Sequence, residues 1–290
     1  MTAPLVERAP AKVNLTLRVH GRRDDGLHEL ESLVVFSDIG DELTLDPSRP
    51  YGLELLGPLR AHCGPNADNL VLKAATELAA RVFDLKIGHF SLIKRIPVAA
   101  GLGGGSSDAA AALRLLAQAN GIAATDPRLQ EAASMTGADV PVCLDPRPRI
   151  MRGAGEQLSG AMHLPPLPAV LLNPGVALAT RDVFSAFDKA RVARPAQAGP
   201  PSFNARDELL GYLQTQPNDL EPAAISLQPA IGDVLSALRG LRQCRLARMS
   251  GSGATCFGLF DTPEDAAVAA QQLRAAHPQW WVEESLFGAG

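Results

Sequence analysis

The sequence predicts an α+β protein of two domains, and three observations support this. Its 290 residues are enough for two domains that each have a core. Strand-like apolar runs and helical patterns are mixed along both halves of the chain. A proline-rich run at 165–168 separates the halves. We therefore expect an N-terminal domain over residues 1–164 and a C-terminal domain over residues 165–290.

The N-terminal half begins with strand patterns. Apolar and polar residues alternate from Val13 to Val19, which predicts a half-buried strand with Lys12 on its polar face. The runs 33–36, 42–45 and 90–93 predict three further strands, and the short apolar run 140–142 resembles another.

Helices are marked in this half by caps. Asp68 and Asn69 precede apolar residues spaced by four, and Asp126-Pro127 predicts a helix start with its end near Gly137.

The C-terminal half has a recognisable order. It predicts, in sequence, a strand at 169–172, several helices that include 230–241, strands at 245–249 and 255–260, a helix at 263–276 and a strand at 280–283. Without the inserted helices this order is β-α-β-β-α-β, the ferredoxin-like split unit. A stretch rich in proline and alanine at 194–201 is predicted to be flexible.

Composition excludes several classes of protein. The net charge is −4, and no long basic run occurs, so nucleic acid and anionic membrane surfaces are not expected as partners. The four cysteines are scattered without a C-x-x-C pair, which favours reduced, buried thiols in a cytoplasmic protein. The first twelve residues lack the apolar segment of a secretory signal, and no apolar stretch is of membrane-spanning length.

The segment from Ile96 to Asp108 carries the strongest functional signal. It holds four glycines in five positions and runs directly into helix formers that end at Asn120-Gly121. Ser106 or Ser107 is a good helix N-cap, so we expect the helix to begin where the glycines stop. Glycine backbone N–H groups and the positive end of a helix bind phosphate together, and the sequence therefore predicts a phosphate-binding loop.

Two better-known glycine motifs do not fit this segment. No lysine follows the glycines, as a P-loop requires, and the dinucleotide pattern fails because serine stands at its last glycine position. A flexible linker or a close helix-packing turn is the structural alternative. A second glycine loop, Ser250–Ala254, is by itself more typical of a tight turn or bulge. With the first loop, it is a candidate for closing over the phosphates of a nucleotide from the other domain.

Three polar side chains are candidates for chemistry. Asp139 lies between a predicted helix end and the short apolar run, where it is either a turn aspartate or a general base. Lys12 is either a solvated strand lysine or a cation that assists a phosphoryl group or the base. His28 follows Gly26-Leu27 in a loop and is either solvated or a binding residue. The six histidines show no metal-ligand spacing, and the G-x-S-x-G elbow of serine hydrolases is absent.

The chain resembles the superfamily of galactokinase, homoserine kinase, mevalonate kinase and phosphomevalonate kinase, the GHMP kinases. The resemblance lies in three motifs in order, at 9–15, 97–110 and 250–254. Within the superfamily, the segments 12–15, 24–28, 137–141 and 218–221 resemble the branch that serves non-mevalonate isoprenoid synthesis. The resemblance implies a GHMP kinase fold, with an N-terminal domain like ribosomal protein S5 and a ferredoxin-like C-terminal domain, and an active site in the cleft between them.

The resemblance also implies roles for particular residues. Asp139 would be the general base on the 2-hydroxyl of a methylerythritol carried by cytidine diphosphate, and Lys12 its charged partner. ATP and Mg²⁺ are the implied cofactors, with Ser107 as a candidate Mg²⁺ ligand. The implied ATP-binding residues are Asn69, Lys94, Pro97, Val98, Ala99, Ala100, Gly101, Leu102, Gly103, Gly104, Gly105, Ser106 and Ser107. The implied substrate-binding residues are Asn14, His28, Thr180, Phe184, Gly251 and Gly253.

One position departs from the family pattern. The family usually has an aromatic residue before the histidine, whereas this chain has Leu27. Phe184 is expected to stack on cytosine, and Leu27 to offer only apolar contact on the other side.

We expect the protein to act on small molecules, in the cytoplasm, as a monomer or weak homodimer. Two other functions stay open: another GHMP kinase, such as one acting on homoserine, or a nucleotide sensor without catalysis. A sensor needs neither a base nor its cationic partner, so the presence of both Asp139 and Lys12 favours a kinase.

Overall fold

The computed structural model describes residues 3–190, 202–203 and 205–288. The chain divides into two compact units, each built from separate stretches of sequence. Unit 1 comprises residues 1–12, 39–98 and 103–146, and unit 2 comprises residues 13–38, 99–102 and 147–290. These discontinuous units differ from the predicted division at one boundary between residues 164 and 165. That boundary stays a prediction. The predicted flexible stretch at 194–201 lies outside the described residues.

Strands β1 (Leu5–Asn14) and β3 (His28–Asp46) each contribute residues to both units. In unit 1, the end of β3 pairs antiparallel with β5 (His89–Ile93), and β5 pairs in parallel with β4 (Gly52–Leu56). Two short 3₁₀ turns, Arg60–His62 and Asn66–Asp68, follow β4.

Four helices complete unit 1: α1 (Leu70–Ala79), α2 (Gly104–Ala119), α3 (Pro127–Thr136) and α4 (Val140–Leu144). Helix α1 packs on α2 and α3, and α4 packs on α2. The buried face of α2 is rich in alanine, which allows the neighbouring helices to approach closely.

Unit 2 contains two groups of strands. In the first, β3 pairs with β2 (Arg18–Arg22) and with β6 (Arg149–Gly153), which in turn pairs with β7 (Gln157–Leu158). The second group has the order β11-β8-β10-β9 with antiparallel neighbours throughout. These strands are β8 (Leu167–Asn173), β9 (Leu246–Met249), β10 (Cys256–Leu259) and β11 (Trp281–Phe287).

The remaining helices belong to unit 2: α5 (Thr180–Ala190), α6 (Arg206–Thr215), α7 (Glu221–Leu227), α8 (Ala230–Arg239) and α9 (Pro263–Ala276). Helices α8 and α9 pack against the four-stranded group, and residues such as Val170, Leu235 and Phe260 form the core between them. Without α5, α6 and α7, the order along the chain is β8-α8-β9-β10-α9-β11, which is β-α-β-β-α-β. In the sheet, the first of these strands, β8, lies between the fourth, β11, and the third, β10. The predicted ferredoxin-like arrangement is therefore confirmed.

Other predictions of secondary structure need correction. The runs 33–36 and 42–45 belong to one strand, β3, because the chain stays extended through Gly40. A Cβ atom at Gly40 would collide with the backbone of Ala9 and Pro10 in the same unit, so close approach of β1 requires glycine there. The run 140–142 is helical, in α4, and Pro141 fits because it lies in the first turn, where no helical N–H bond is lost.

The predicted strand at 13–19 is interrupted, since β1 ends at Asn14 and β2 starts at Arg18. Its polar face is also not exposed: Lys12, Asn14 and Thr16 are all buried. Hydrogen bonds make this burial possible, because Asn14 Nδ2 donates to Ser32 Oγ and Thr16 Oγ1 accepts from the N–H of Leu33.

The predicted helix start at Ser106 or Ser107 is wrong by one turn. Helix α2 begins at Gly104 and its N-cap is Gly103, whose φ of 59° lies in the left-handed region. Without a Cβ atom, Gly103 adopts this conformation at little cost and turns the chain into the helix before the serines. Ser107 therefore lies in the first turn of the helix, where it is buried and donates its N–H to the Gly103 carbonyl. The other predicted caps, Asn69 for α1 and Asp126 for α3, are confirmed by their side-chain bonds to the helices.

Candidate active site

The start of helix α2 is the centre of the candidate site in unit 1. The N–H groups of its first turn have no partner within the helix, and the positive end of the helix dipole lies there. Lys12 runs beside it: a Cβ atom at Gly103 would be 3.1 Å from Lys12 Cε. Gly103 is therefore required twice, for its backbone conformation and for the close approach of the lysine. Backbone N–H groups and one ammonium group together form a local environment that favours anions.

Lys12 forms an ion pair with Asp139 in the same unit. The distance from Lys12 Nζ to Asp139 Oδ2 is 2.9 Å. The lysine side chain is 4% exposed, whereas that of the aspartate is 37% exposed. Asp139 precedes α4 but makes no side-chain cap bond to it. Its carboxylate is thus held by a buried cation on one side and open on another, as a general base requires.

Arg114 connects the two elements that carry this pair. From α2 its guanidinium donates hydrogen bonds to the carbonyl of Arg8 in β1 and to the carbonyl of Cys143 in α4, and it forms an ion pair with Glu7. These bonds link the strand that ends near Lys12 to the helix that follows Asp139. Burial raises the pKa of the Cys143 thiol to about 12, so this neighbour of the pair stays protonated and unreactive.

A second lysine lies near the start of α2. Lys94 Nζ is 2.7 Å from Asp108 Oδ2, and it also donates to Asp41 Oδ2. All three side chains are almost fully buried. Burial by itself would lower the pKa of Lys94, but Asp108 and Asp41 outweigh it and raise that pKa above its ordinary value. Burial raises the pKa of Asp108, and the neighbouring Asp41 carboxyl adds to this rise, whereas the Lys94 ammonium opposes it.

Three other predicted ATP-binding residues of unit 1 are Asn69, Val98 and Ser107. Asn69 caps α1 by accepting from the N–H of Val71, and the next residue, Leu70, would be 3.5 Å from a Cβ atom at Gly105. Val98 is 41% exposed. Ser107 is fully buried, and among the described residues its hydroxyl oxygen has no hydrogen-bond partner.

In unit 2 the two glycine loops meet. The segment 99–102 packs on the turn that follows β9: Ser250 Oγ donates to the carbonyl of Gly101, and the N–H of Thr255 donates to the carbonyl of Ala100. A Cβ atom at Gly101 would collide with the carbonyl of Ser250. The glycines therefore allow backbone-to-backbone contact between segments that are about 150 positions apart.

Four of the predicted substrate-binding residues surround this turn. Asn14 donates its N–H to Ser250 Oγ, and its side-chain oxygen would be 3.4 Å from a Cβ atom at Gly251. Thr180 and Ser252 share a hydrogen bond of 2.9 Å. Gly253 closes the turn by donating its N–H to the Ser250 carbonyl. Asn218, which lies in the motif at 218–221, holds the turn by donating to the carbonyl of Gly251.

The last two predicted substrate-binding residues are in contact with each other. The rings of His28 and Phe184 are stacked, with centroids 4.5 Å apart. His28 Nε2 also lies 2.7 Å from Asp188 Oδ1. The preceding residue, Leu27, is 52% exposed and so presents an apolar side chain to solvent.

Sequence reasoning missed three carboxylates, Asp41, Asp108 and Asp188. Asp108 stands in the glycine motif, but burial of an acidic residue in a helix does not follow from the pattern around it. Asp41 gives no local signal, since its partner is 53 positions away. Asp188 had a signal: with Thr180 and Phe184 it is spaced by four along a helix, which places all three on one face.

Among the described residues, no group of three His, Cys, Asp or Glu side chains is placed to hold a metal ion. Mg²⁺ in kinases is commonly held by one or two protein oxygens together with phosphate oxygens and water. The unpartnered Ser107 hydroxyl fits that kind of site. In the part of the chain that the structure covers, no helix has the length and apolar character needed to cross a membrane.

Comparison with known proteins adds to this geometry. The family "GHMP kinases N terminal domain" matches residues 69–145, and "GHMP kinases C terminal" matches residues 202–279. The chain is 57% identical to 4-diphosphocytidyl-2-C-methyl-D-erythritol kinase of Methylobacterium radiotolerans, over 96% of this chain and 97% of the relative. It is 54% identical to the protein of that name from Rhodopseudomonas palustris, over 96% of this chain and 95% of the relative.

Solved structures agree. A crystal structure of 4-(cytidine 5'-diphospho)-2C-methyl-D-erythritol kinase matches with a TM-score of 0.75 and 34% identity, over 99% of this chain and all of that chain. Homoserine kinase from Cytophaga hutchinsonii matches with a TM-score of 0.67 over 99% of this chain and 95% of that chain, but at 19% identity it shows the fold alone. The predicted two-domain α+β GHMP fold is thereby confirmed. By sequence identity over nearly its full length, the chain belongs to the 4-diphosphocytidyl-2-C-methyl-D-erythritol kinase family of the GHMP kinases.

Proposed function

We propose that this kinase transfers the γ-phosphoryl group of ATP to the 2-hydroxyl of 4-diphosphocytidyl-2-C-methyl-D-erythritol. The observation that carries the proposal is the Lys12–Asp139 ion pair beside the start of α2. It supplies an accessible carboxylate for the acceptor hydroxyl and a cation for the transferred group, next to backbone N–H groups suited to phosphate. The names of the relatives support the choice of substrate.

Asp139 acts as the general base in this mechanism. Its carboxylate accepts the proton of the 2-hydroxyl as the hydroxyl oxygen forms a bond to the γ-phosphorus. The bond from the γ-phosphorus to the bridging oxygen breaks, and ADP leaves with that oxygen. Lys12 holds the carboxylate in place and offsets negative charge on the transferred group, because its ammonium is 2.9 Å from Asp139 and buried from bulk water.

Residues 97–107 bind the phosphates of ATP. First-turn N–H groups of α2 donate to phosphate oxygens, and the lack of side chains at Gly104 and Gly105 lets the phosphates approach. Ser107 would provide one oxygen ligand to Mg²⁺. When bound, Mg²⁺ would offset the negative charge of the phosphates.

Asn69 and Lys94 flank the adenine. The ammonium group of Lys94 already has two carboxylate partners. Its contribution to adenine binding is therefore through its methylene groups or its backbone, or through the shape that the buried cluster imposes on the start of α2.

The cytidine part of the substrate is assigned to unit 2. His28 and Phe184 offer an aromatic surface for the base, and Asn14, Thr180, Gly251 and Gly253 line the turn where backbone groups come close together. Base stacking on an aromatic ring contributes about 1–3 kcal/mol. Leu27 is exposed and adds apolar contact only.

Phosphorus NMR tests this function directly. The purified protein is incubated with Mg²⁺ and ATP together with 4-diphosphocytidyl-2-C-methyl-D-erythritol, and in parallel with homoserine or mevalonate. We expect ADP and a new phosphomonoester resonance only with the cytidine substrate. Turnover with another acceptor would assign the protein a different GHMP kinase activity. ATP binding without turnover of any acceptor would identify a nucleotide sensor.

The cellular setting is part of the proposal. The four cysteines are all free, which supports action in the reducing cytoplasm, where ATP is abundant. We propose a monomer or weak homodimer that needs only small-molecule partners.

A further inference from the structure

Helix α5 and His28 form a small polar and aromatic cluster within unit 2. The imidazole ring stacks on Phe184 with an angle of 25° between the ring planes. Asp188, one helical turn after Phe184, lies with its Oδ1 atom 2.7 Å from His28 Nε2. The His28 side chain is only 12% exposed, so the stack and the carboxylate together hold the ring in one orientation.

The carboxylate also decides which ring nitrogen carries the proton. A neutral imidazole has one N–H donor and one acceptor nitrogen, and an ionised carboxylate can only accept. With Asp188 at Nε2, the neutral ring places its proton on Nε2 and leaves Nδ1 as an acceptor. Within residues 3–190, 202–203 and 205–288, Asp188 is the one hydrogen-bond partner of this ring.

A pyrimidine base can use that acceptor selectively. Cytosine carries an amino group at C4, which is a donor, whereas uracil has a carbonyl oxygen there, which is an acceptor. An amino group in the plane of the imidazole would be bonded by Nδ1, but a carbonyl oxygen would face a second acceptor. A base in that plane also lies within about 25° of parallel to the Phe184 ring, which is suitable for stacking.

His28 covers only part of the Phe184 ring. The ring centroids are 4.5 Å apart, and since aromatic faces touch at about 3.5–4 Å, the imidazole is displaced sideways by about 2–3 Å. Part of the Phe184 face therefore remains uncovered by His28, beside the imidazole edge.

We infer that Asp188 is a positioning residue that, through His28, selects a cytosine base over uracil. This inference rests on the proposed function, because it concerns the nucleoside diphosphate part of the same substrate. Asp188 itself touches no reacting atom in this scheme.

Kinetics of Asp188 variants test the inference. The variants Asp188→Ala and Asp188→Asn are compared with wild type on the cytidine substrate and on its uridine counterpart. We expect Asp188→Ala to raise KM for the cytidine substrate about tenfold, to leave kcat within about twofold, and to reduce the preference for cytidine by about 10- to 100-fold. Asp188→Asn should restore most of the preference, because the amide oxygen still accepts from Nε2–H.

Asp182→Ala is the matched control. It removes a carboxylate from the same helix, at an exposed position six residues earlier, where the side chain contacts Arg181. It should leave KM, kcat and base preference unchanged. If Asp188→Ala keeps the wild-type preference for cytidine, or raises KM equally for both substrates, the inference is overturned and Asp188 has only a structural role.

Two measurements without turnover separate this inference from the proposed function. Nitrogen-15 NMR of the histidine rings at about pH 8, above the ordinary pKa of histidine, reports the tautomer, and His28→Gln assigns the signal. We expect the Nε2–H form in wild type and a mixture in Asp188→Ala. Calorimetric titration should show tighter binding of CDP than of UDP to wild type.

A wild-type Nδ1–H form, or equal affinity for CDP and UDP, would overturn the inference even if the kinase reaction is confirmed. If phosphoryl transfer fails while the tautomer and the CDP preference are as expected, the proposed function falls and the role of Asp188 stands.

Discussion

Two groups of lysine and aspartate lie beside the start of helix α2 in unit 1, and they differ in exposure. Lys12 is buried, but its partner Asp139 is 37% exposed. Lys94 is equally buried, and its partners Asp41 and Asp108 are 0% and 4% exposed. Burial of the lysine therefore does not separate the two groups, whereas burial of the carboxylates does.

This difference indicates different roles. An accessible carboxylate can meet a substrate hydroxyl, so the Lys12–Asp139 pair is suited to chemistry. The carboxylates of the Lys94 cluster are almost fully buried, and Asp41 uses its other oxygen to accept from the backbone N–H groups of Arg95 and Ile96. That cluster instead fixes the chain leading into the glycine segment relative to α2. Single substitutions should separate the two roles.

The largest effect is expected for Asp139→Asn. Loss of the base should lower kcat by about 10²- to 10⁴-fold while ATP still binds. Because buried Lys12 then lacks its counter-charge, the free energy of unfolding should also fall by about 1–3 kcal/mol. Steady-state kinetics, ATP titration and urea unfolding measure the three quantities. Glu131→Gln, which alters an exposed carboxylate on α3, is the control and should behave as wild type. Activity within tenfold of wild type in Asp139→Asn would remove this residue from the base role.

Lys94→Met should have the largest effect on stability. It leaves two buried carboxylates without their cation, and removal of one partner from a buried ion pair costs about 3–5 kcal/mol. Lys12→Met should cost less, because Asp139 remains partly hydrated, but should lower kcat strongly. Urea unfolding of both variants tests the comparison. Equal losses of stability would show that exposure of the carboxylate does not distinguish the groups.

The buried cluster should also make stability depend on pH. Burial raises the pKa of Asp108 to about 7, above the value near 4 of an unfolded aspartate. The folded protein then binds more protons than the unfolded protein between these values, so the free energy of unfolding should fall as pH rises through this window. Asp108→Asn removes the carboxyl group that binds this proton. The difference in unfolding free energy between this variant and wild type should change between about pH 5 and about pH 8, which is about one unit above the folded pKa. A difference that stays constant would contradict the prediction.

Gly103→Ala should have a smaller effect on stability than Lys94→Met. A left-handed conformation costs a residue with a Cβ atom about 1–2 kcal/mol, and the new methyl group would press on Lys12. We expect that loss of stability together with a fall in kcat of about tenfold, since small displacements of catalytic groups are costly. Gly104→Ala is the control for stability only. Its Cβ atom would meet Lys94 Nζ at an ordinary 3.6 Å, and no loss of stability is expected.

The local sequence pattern was sufficient to predict those elements that are set by residues close together in the chain. The caps Asn69 and Asp126, the helix 263–276 and the order of the C-terminal strands were all predictable, because capping and apolar periodicity act within a few residues. The short run 140–142 was misjudged because three apolar residues fit a strand or a helix equally well. The start of α2 was misjudged because the glycines enter the helix themselves.

Motifs and spacing were enough to identify the family, the glycine segments and four candidate residues, Lys12, Asp139, His28 and Phe184. What each side chain faces became known from the folded chain alone. It joined Lys12 to Asp139 across 127 positions, buried Lys94 between two carboxylates, and set Asp188 against His28 across 160 positions. Exposure and partner choice are set by packing between distant segments, and no local pattern encodes them.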